Sequence, residues 1–173
     1  MKRTIILALS SVAAGLLLTG CVTSTSDNAE DTRALRAQEK LNEAFSACEN
    51  AWYGHFDACD QQITIDKRRM TALDAANSMP DIAKEARAEY ARARAEEDKA
   101  FDRMKSTLDD WAAAIKRVRA VTESYRKAAG RRADPVVEAA TKYVRSQETL
   151  HRSNIVMYEK ALQGWEKERR LKP

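Results

Sequence analysis

The chain has 173 residues, and Lys plus Arg (30) barely outnumber Asp plus Glu (26), leaving a formal charge of +4. That length supports one domain with a real core and is tight for two. Near-balanced charge argues against nucleic acid as a partner, and scarce Gly (5) and Pro (3) exclude a sheet-rich fold in favour of long helices built from Ala, Glu, Lys, Arg and Leu.

The chain opens Met1-Lys2-Arg3 and runs from Ile5 to Leu18 with only Ser10 and Ser11 interrupting the apolar residues. A basic start, a short apolar core and small residues before a cut site are the layout of a secretory signal. The apolar run is about 14 residues, short of the roughly 20 that a bilayer-spanning helix needs. Its last four residues, Leu18-Thr19-Gly20-Cys21, resemble the lipobox of bacterial lipoproteins. The resemblance covers Met1 to Cys21 and implies cleavage before Cys21 and acylation of that cysteine. Residues 1–20 then form the signal peptide, residues 21–28 a lipidated cysteine with a short polar tether, and residues 29–173 the folded domain. Cleavage removes Lys2 and Arg3, so the charge falls from +4 to +2. Residue 22 is Val and not Asp. In sorting of the enteric type, which this signal resembles, that implies the outer membrane, with the domain facing the periplasm. The expected partners are the membrane, through the acyl chains, and an envelope protein or the cell wall.

A helix is expected from near Asp27 or Asn28, where Asp27 and Glu30 can cap free amides. Apolar residues recur at Leu41, Phe45, Cys48, Trp52 and Phe56, in helical steps of three and four. Gly54 interrupts them, and two geometries follow. In a straight helix Cys48 and Cys59 lie roughly 16 Å apart along the axis, too far for a disulfide. In a hairpin turning at Gly54 they meet across its neck. With Cys21 taken by lipid, they are the only thiols left in an oxidising compartment, which favours the hairpin and a Cys48–Cys59 disulfide. The seam itself continues through Cys59, Ile63, Met70 and Leu73. Cys48, ten further residues, then Cys59 before an acidic helical stretch is also similar to the cysteine framework of small periplasmic lysozyme inhibitors. That likeness touches residues 48–66, is one residue short in spacing, places Asp66 too near Cys59, and carries over no residue roles.

Pro80, followed by Asp81, starts a new helix. Within it Phe101, Met104, Leu108, Trp111, Ile115 and Val118 alternate in steps of three and four, and Thr122, Tyr125 and Ala129 carry the period on. The half before Phe101, residues 82–99, is alanine-rich with only Tyr90 as a large apolar residue after Ile82; it is expected to pack thinly, and a second copy of the chain could cover it. Gly130 ends this helix and Asp134-Pro135 restarts the chain. The last seam uses Val137, Ala140, Val144, Gln147, His151, Tyr158, Ala161 and Trp165, with Asn154 nearby. The expected fold is all-α: an elongated antiparallel bundle of three or four helices with coiled-coil-like packing.

No phosphate loop, nucleophile elbow, zinc-protease or haem motif occurs, so no catalytic residue, cofactor or metal is expected. Glu96-Glu97 and Asp109-Asp110 are adjacent, hence about 100 degrees apart on a helix, and cannot share a substrate. Trp52, Tyr53, His55 and Phe56 at a hairpin tip would form an aromatic contact for a partner. Arg126, Lys127, Arg131 and Arg132 would touch an anionic surface. The chain reads as a non-enzymatic structural or adaptor module, or else as an inhibitor or regulator of a periplasmic enzyme or secretion machine working through that aromatic turn.

Overall fold

A computed structural model describes residues 28–170. Among them only Met79 lies outside a helix, and there is no strand. Three long helices account for nearly everything: α1 (Asn28–Ser78), α2 (Ala83–Ala129) and α3 (Asp134–Arg170), joined by 3-10 turns at Pro80–Ile82 and Gly130–Ala133. The signal segment and Cys21 lie outside the described residues. None of the described helices is long and apolar enough to cross a membrane.

The breaks fall where backbone chemistry requires them. Pro80 pushes the residue before it out of the helical region, and Met79 is extended at φ −127°, ψ 90°. At the second corner Gly130 takes φ +58°, a left-handed conformation that a side chain disfavours, after Arg126 and Lys127 have filled the last turn of α2. Asp134 then opens α3.

Gly54 breaks nothing. The first helix runs unbroken through it, which corrects the expected hairpin, and neither Cys48 nor Cys59 is in a disulfide. The expected Cys48–Cys59 disulfide fails for the reason given by the straight-helix geometry: eleven residues of helix separate the two sulfurs by far more than a disulfide spans. A lone glycine in a helix lowers stability without ending it. A Cβ built at Gly54 or at Gly130 would meet nothing within 4 Å, but only Gly130 has positive φ. Gly54→Ala should therefore raise stability by about 0.5–1 kcal/mol, whereas Gly130→Ala should lower it by about 1 kcal/mol. Urea unfolding followed by far-UV circular dichroism would show the opposite signs.

The chain divides into two compact units. One comprises the described residues up to Ser46 together with Lys116–Arg145; the other comprises Ala47–Ile115 with the chain from Ser146 onward. The first is conventionally apolar. Leu41, Ala44, Phe45, Val118, Tyr125, Ala133, Ala140 and Val144 are its buried side chains, with Phe45 edge-on to Tyr143 at 4.9 Å. Thr122, also buried, returns its hydroxyl proton to the Val118 carbonyl at 2.8 Å.

The second unit is built differently. On α1 the buried or half-buried residues Ala51, Ala58, Ile65 and Ala72 form one column at seven-residue spacing, and Cys48, His55, Gln62 and Arg69 form the column beside it. On α2, Ala86, Ala93 and Ala100 are buried at the same spacing. Residues 82–99 thus do not stand bare: they pack through alanines, which let helix backbones approach closely. The seam anticipated through Ile63 and Met70 is displaced, since these two are 46% and 42% exposed. Larger apolar groups collect lower on α2, where Phe101 stacks on Trp165 at 6.3 Å and Ala58, Met104, Tyr158 and Leu162 complete the cluster.

Candidate functional site

Two polar clusters lie inside the second unit, both using residues that a core would normally exclude. The first centres on His55, 1% exposed. Thr107 gives its hydroxyl proton to the Met104 carbonyl at 3.0 Å, so its oxygen accepts from His55 Nδ1–H at 3.1 Å. His55 Nε2 is then the bare nitrogen, and the Cys59 thiol 3.5 Å away is its donor. The His55 ring stacks on Trp111 at 6.0 Å. Trp111, fully buried, donates from Nε1 to Gln147 Oε1 at 2.9 Å and meets His151 edge-on at 5.2 Å. His151 Nε2–H donates to the Leu108 carbonyl at 2.9 Å. His55 is thereby held in a single tautomer, and each imidazole links two helices.

Burial lowers the His55 pKa, and the nearby His151 pushes the same way, against hydrogen bonding to the Asn154 side chain and the Met104 backbone. Burial and the charge of Asp60 push the Cys59 thiol up. A thiol so held is not the thiolate that nucleophilic chemistry requires.

The second cluster is ionic. Arg69 is 4% exposed and Glu97 is 2% exposed, with Nε and Oε2 in contact at 2.8 Å. Nη2 of Arg69 donates to Asp66 and to Glu168, both at 2.8 Å. One guanidinium from α1 therefore meets carboxylates from all three helices. Its plane also lies over the Trp165 ring, 5.2 Å from the centroid. Trp165 Nε1 and Arg169 both donate to Asp98 at 3.0 Å. The neighbouring Glu96 points outward to Arg68, as the 100-degree step between adjacent helical residues demands. Burial lifts the Glu97 carboxyl to about 7 despite the pull of Arg69, and the charges of Asp66 and Glu168 add to the rise.

The two clusters give opposite pH slopes. A carboxyl whose folded pKa is raised favours folding below its unfolded value and loses that contribution as pH climbs from about 4.5 to about 7. A histidine with a lowered pKa does the reverse: stability falls as pH drops below 6.5, because the unfolded chain takes up the proton more readily. In the intact protein these slopes oppose each other. Glu97→Gln should leave a stability that rises with pH up to about 6.5, and His55→Gln one that falls toward pH 7. Each slope is bounded at about 1.4 kcal/mol per pH unit for one proton. Urea midpoints measured across that range would separate them.

The aromatic set expected to act together is divided by the fold. Trp52 is 8% exposed and His55 is buried, while Tyr53 is 48% exposed. There is no hairpin tip for them to occupy. Trp52 instead carries Tyr53 at 5.1 Å and Phe56 edge-on at 5.5 Å along one helix. Its indole N–H is buried and finds no acceptor among the described residues. Arg126, Lys127, Arg131 and Arg132 are all exposed.

A groove between α1 and α2 is lined by Asp57, Asp60, Gln61, Thr64, Ile65 and Arg103, and Arg103 donates across it to Gln61 at 2.7 Å. Among the described residues no three His, Cys, Asp or Glu side chains converge as a metal site would need. Comparison with family models, curated proteins and solved structures yields no match.

Arg69 and Glu97 escape a reading that looks for large apolar residues. The signal was nevertheless in the spacing. Counting back from Met104 by sevens gives Glu97 and Tyr90, and counting on from His55 gives Gln62 and Arg69.

Proposed function

We propose that this chain is a lipid-anchored, non-enzymatic module of the bacterial cell envelope. Acylated Cys21 holds it to the outer membrane facing the periplasm, and it acts as a structural or adaptor element on an envelope protein or the cell wall. The observation that carries the non-enzymatic part is how the chemically capable side chains are used. His55, Cys59, Arg69 and Glu97 are turned inward and joined to one another or to neighbouring helices. The anchor rests on Leu18-Thr19-Gly20-Cys21 behind a basic and apolar leader.

In this reading the three helices form an antiparallel bundle with coiled-coil-like packing. Support comes from the heptad columns and from the α1–α2 pairs, His55 with Thr107, Gln62 with Glu97 and Arg68 with Glu89, whose numbers rise on one helix as they fall on the other. Protein purified from membranes should begin at Cys21 and carry the mass of its acyl chains. In-cell crosslinking from exposed α1 and α3 positions should then capture an envelope component. A chain that starts elsewhere, without fatty acid, refutes the anchor.

The second reading, an inhibitor or regulator of a periplasmic enzyme or secretion machine, is favoured by one observation: Tyr53 is half-exposed beside the ring of Trp52, which also meets Phe56 edge-on. Tyr53→Ala should abolish partner capture under that reading and leave it unchanged under the first. Helicity is expected to survive in both cases.

A further inference from the structure

The two ends of the first unit's helices meet. Arg132, in the turn between α2 and α3, pairs with Asp31 in the first turn of α1 at 3.5 Å. The turn Gly130–Ala133 therefore stands beside the start of α1, and only seven residue steps separate Asn28 from Cys21. Seven residues reach at most about 25 Å. On the reading that Cys21 carries lipid, this turn is held against the membrane, whereas a hairpin at Gly54 would have sent it to the far end.

Its chemistry suits that place. Arg126, Lys127, Arg131 and Arg132 put four exposed cations into seven residues with no acid among them. Arg33 on α1 adds a fifth, against Glu30, Asp31 and Asp134 at the same end. The Arg132 side chain stays 85% exposed although it touches Asp31, so most of its hydrogen-bonding capacity is unspent. The helix termini help as well: α1 and α3 both begin here, presenting the positive ends of two dipoles against the negative end of one.

We propose that this basic turn is a docking surface for anionic phospholipid headgroups in the membrane that holds the anchor. Acyl chains supply attachment, and the turn supplies orientation, setting α1 at a fixed attitude to the surface. The proposal rests on acylation of Cys21.

The test uses the full acylated protein in vesicles of phosphatidylcholine alone or mixed with phosphatidylglycerol. The readout is acetylation of the Lys127 amine, followed by peptide mass spectrometry. An adjacent anionic surface is worth about 1 kcal/mol per basic residue, so Lys127 should react roughly fivefold or more slowly on the mixed vesicles at low salt. High salt should restore its rate. Arg126→Glu with Arg131→Glu should abolish the protection while circular dichroism stays unchanged. Equal reactivity of Lys127 on both vesicles, in a chain whose mass shows the acyl groups, overturns the docking and leaves the anchor standing. A chain with no acyl mass that binds neither vesicle overturns both.

Discussion

Above neutral pH Arg69→Met should lower stability by about 3–5 kcal/mol, because it strands a buried carboxylate. Glu97 is 2% exposed, its close cation is Arg69, and the 3.5 Å contact from Gln62 is too long to compensate. The loss should shrink on acidification. Burial already holds Glu97 near 7 with the guanidinium in place, and removing that charge raises it further. The variant would then fold with a neutral acid wherever the pH lies below the new value. Arg69→Met combined with Glu97→Leu should recover most of the loss, since apolar residues of similar volume commonly replace a buried pair without penalty. Urea unfolding of the two single variants and the double variant at acid and alkaline pH tests all three statements. If Arg69→Met is as stable as the parent above neutral pH, the ionic cluster contributes nothing to the fold.

Trp111→Ala should cost a similar amount, about 3–5 kcal/mol, by a different route. Trp111 is fully buried, and its ring lies between two imidazoles, His55 and His151. Deleting it opens a cavity and leaves Gln147 Oε1 without its indole donor. Trp111→Phe separates these terms. It keeps most of the ring and loses only the N–H, for about 1–3 kcal/mol of unsatisfied acceptor. Because His55 would then lie nearer water, its pKa should recover toward 6.5 in the alanine variant, a shift that NMR titration of the imidazole would follow. Unchanged titration would mean that Trp111 is not what dries the His55 site.

Much of the fold was open to a reading of residue types. Pro80, Gly130 and the Asp134-Pro135 pair mark the corners because each alters the backbone directly, whatever surrounds it. The stripe from Phe101 to Tyr125 is equally plain, being made of large side chains at steady spacing, and all of its stripe positions from Phe101 to Tyr125 are buried. What could not be read was an interior made of small and charged groups. Ala86, Ala93 and Ala100 carry too little apolar surface to stand out from the alanines around them. Arg69 and Glu97, taken singly, look like solvent-facing residues and become interior ones only as a pair. Gly54 misled in the opposite direction, since glycine has consequences only where the backbone needs its freedom, and here it does not. The aromatic site suffered the same error at second hand: with no turn at Gly54, His55 and Trp52 face inward and leave Tyr53 exposed.

The alanine columns have an effect on alignment. Ala58 and Ala72 on α1, and Ala86, Ala93 and Ala100 on α2, are nearly interchangeable, so slippage by seven residues would set small methyls against small methyls at little loss. It would also bring Arg69 opposite Tyr90 or Met104 in place of Glu97, leaving a guanidinium and a carboxylate each without its mate. The alanine columns alone tolerate several settings of these rods, and the Arg69–Glu97 pair joins the large side chains of the Phe101–Tyr125 stripe in rejecting all but one.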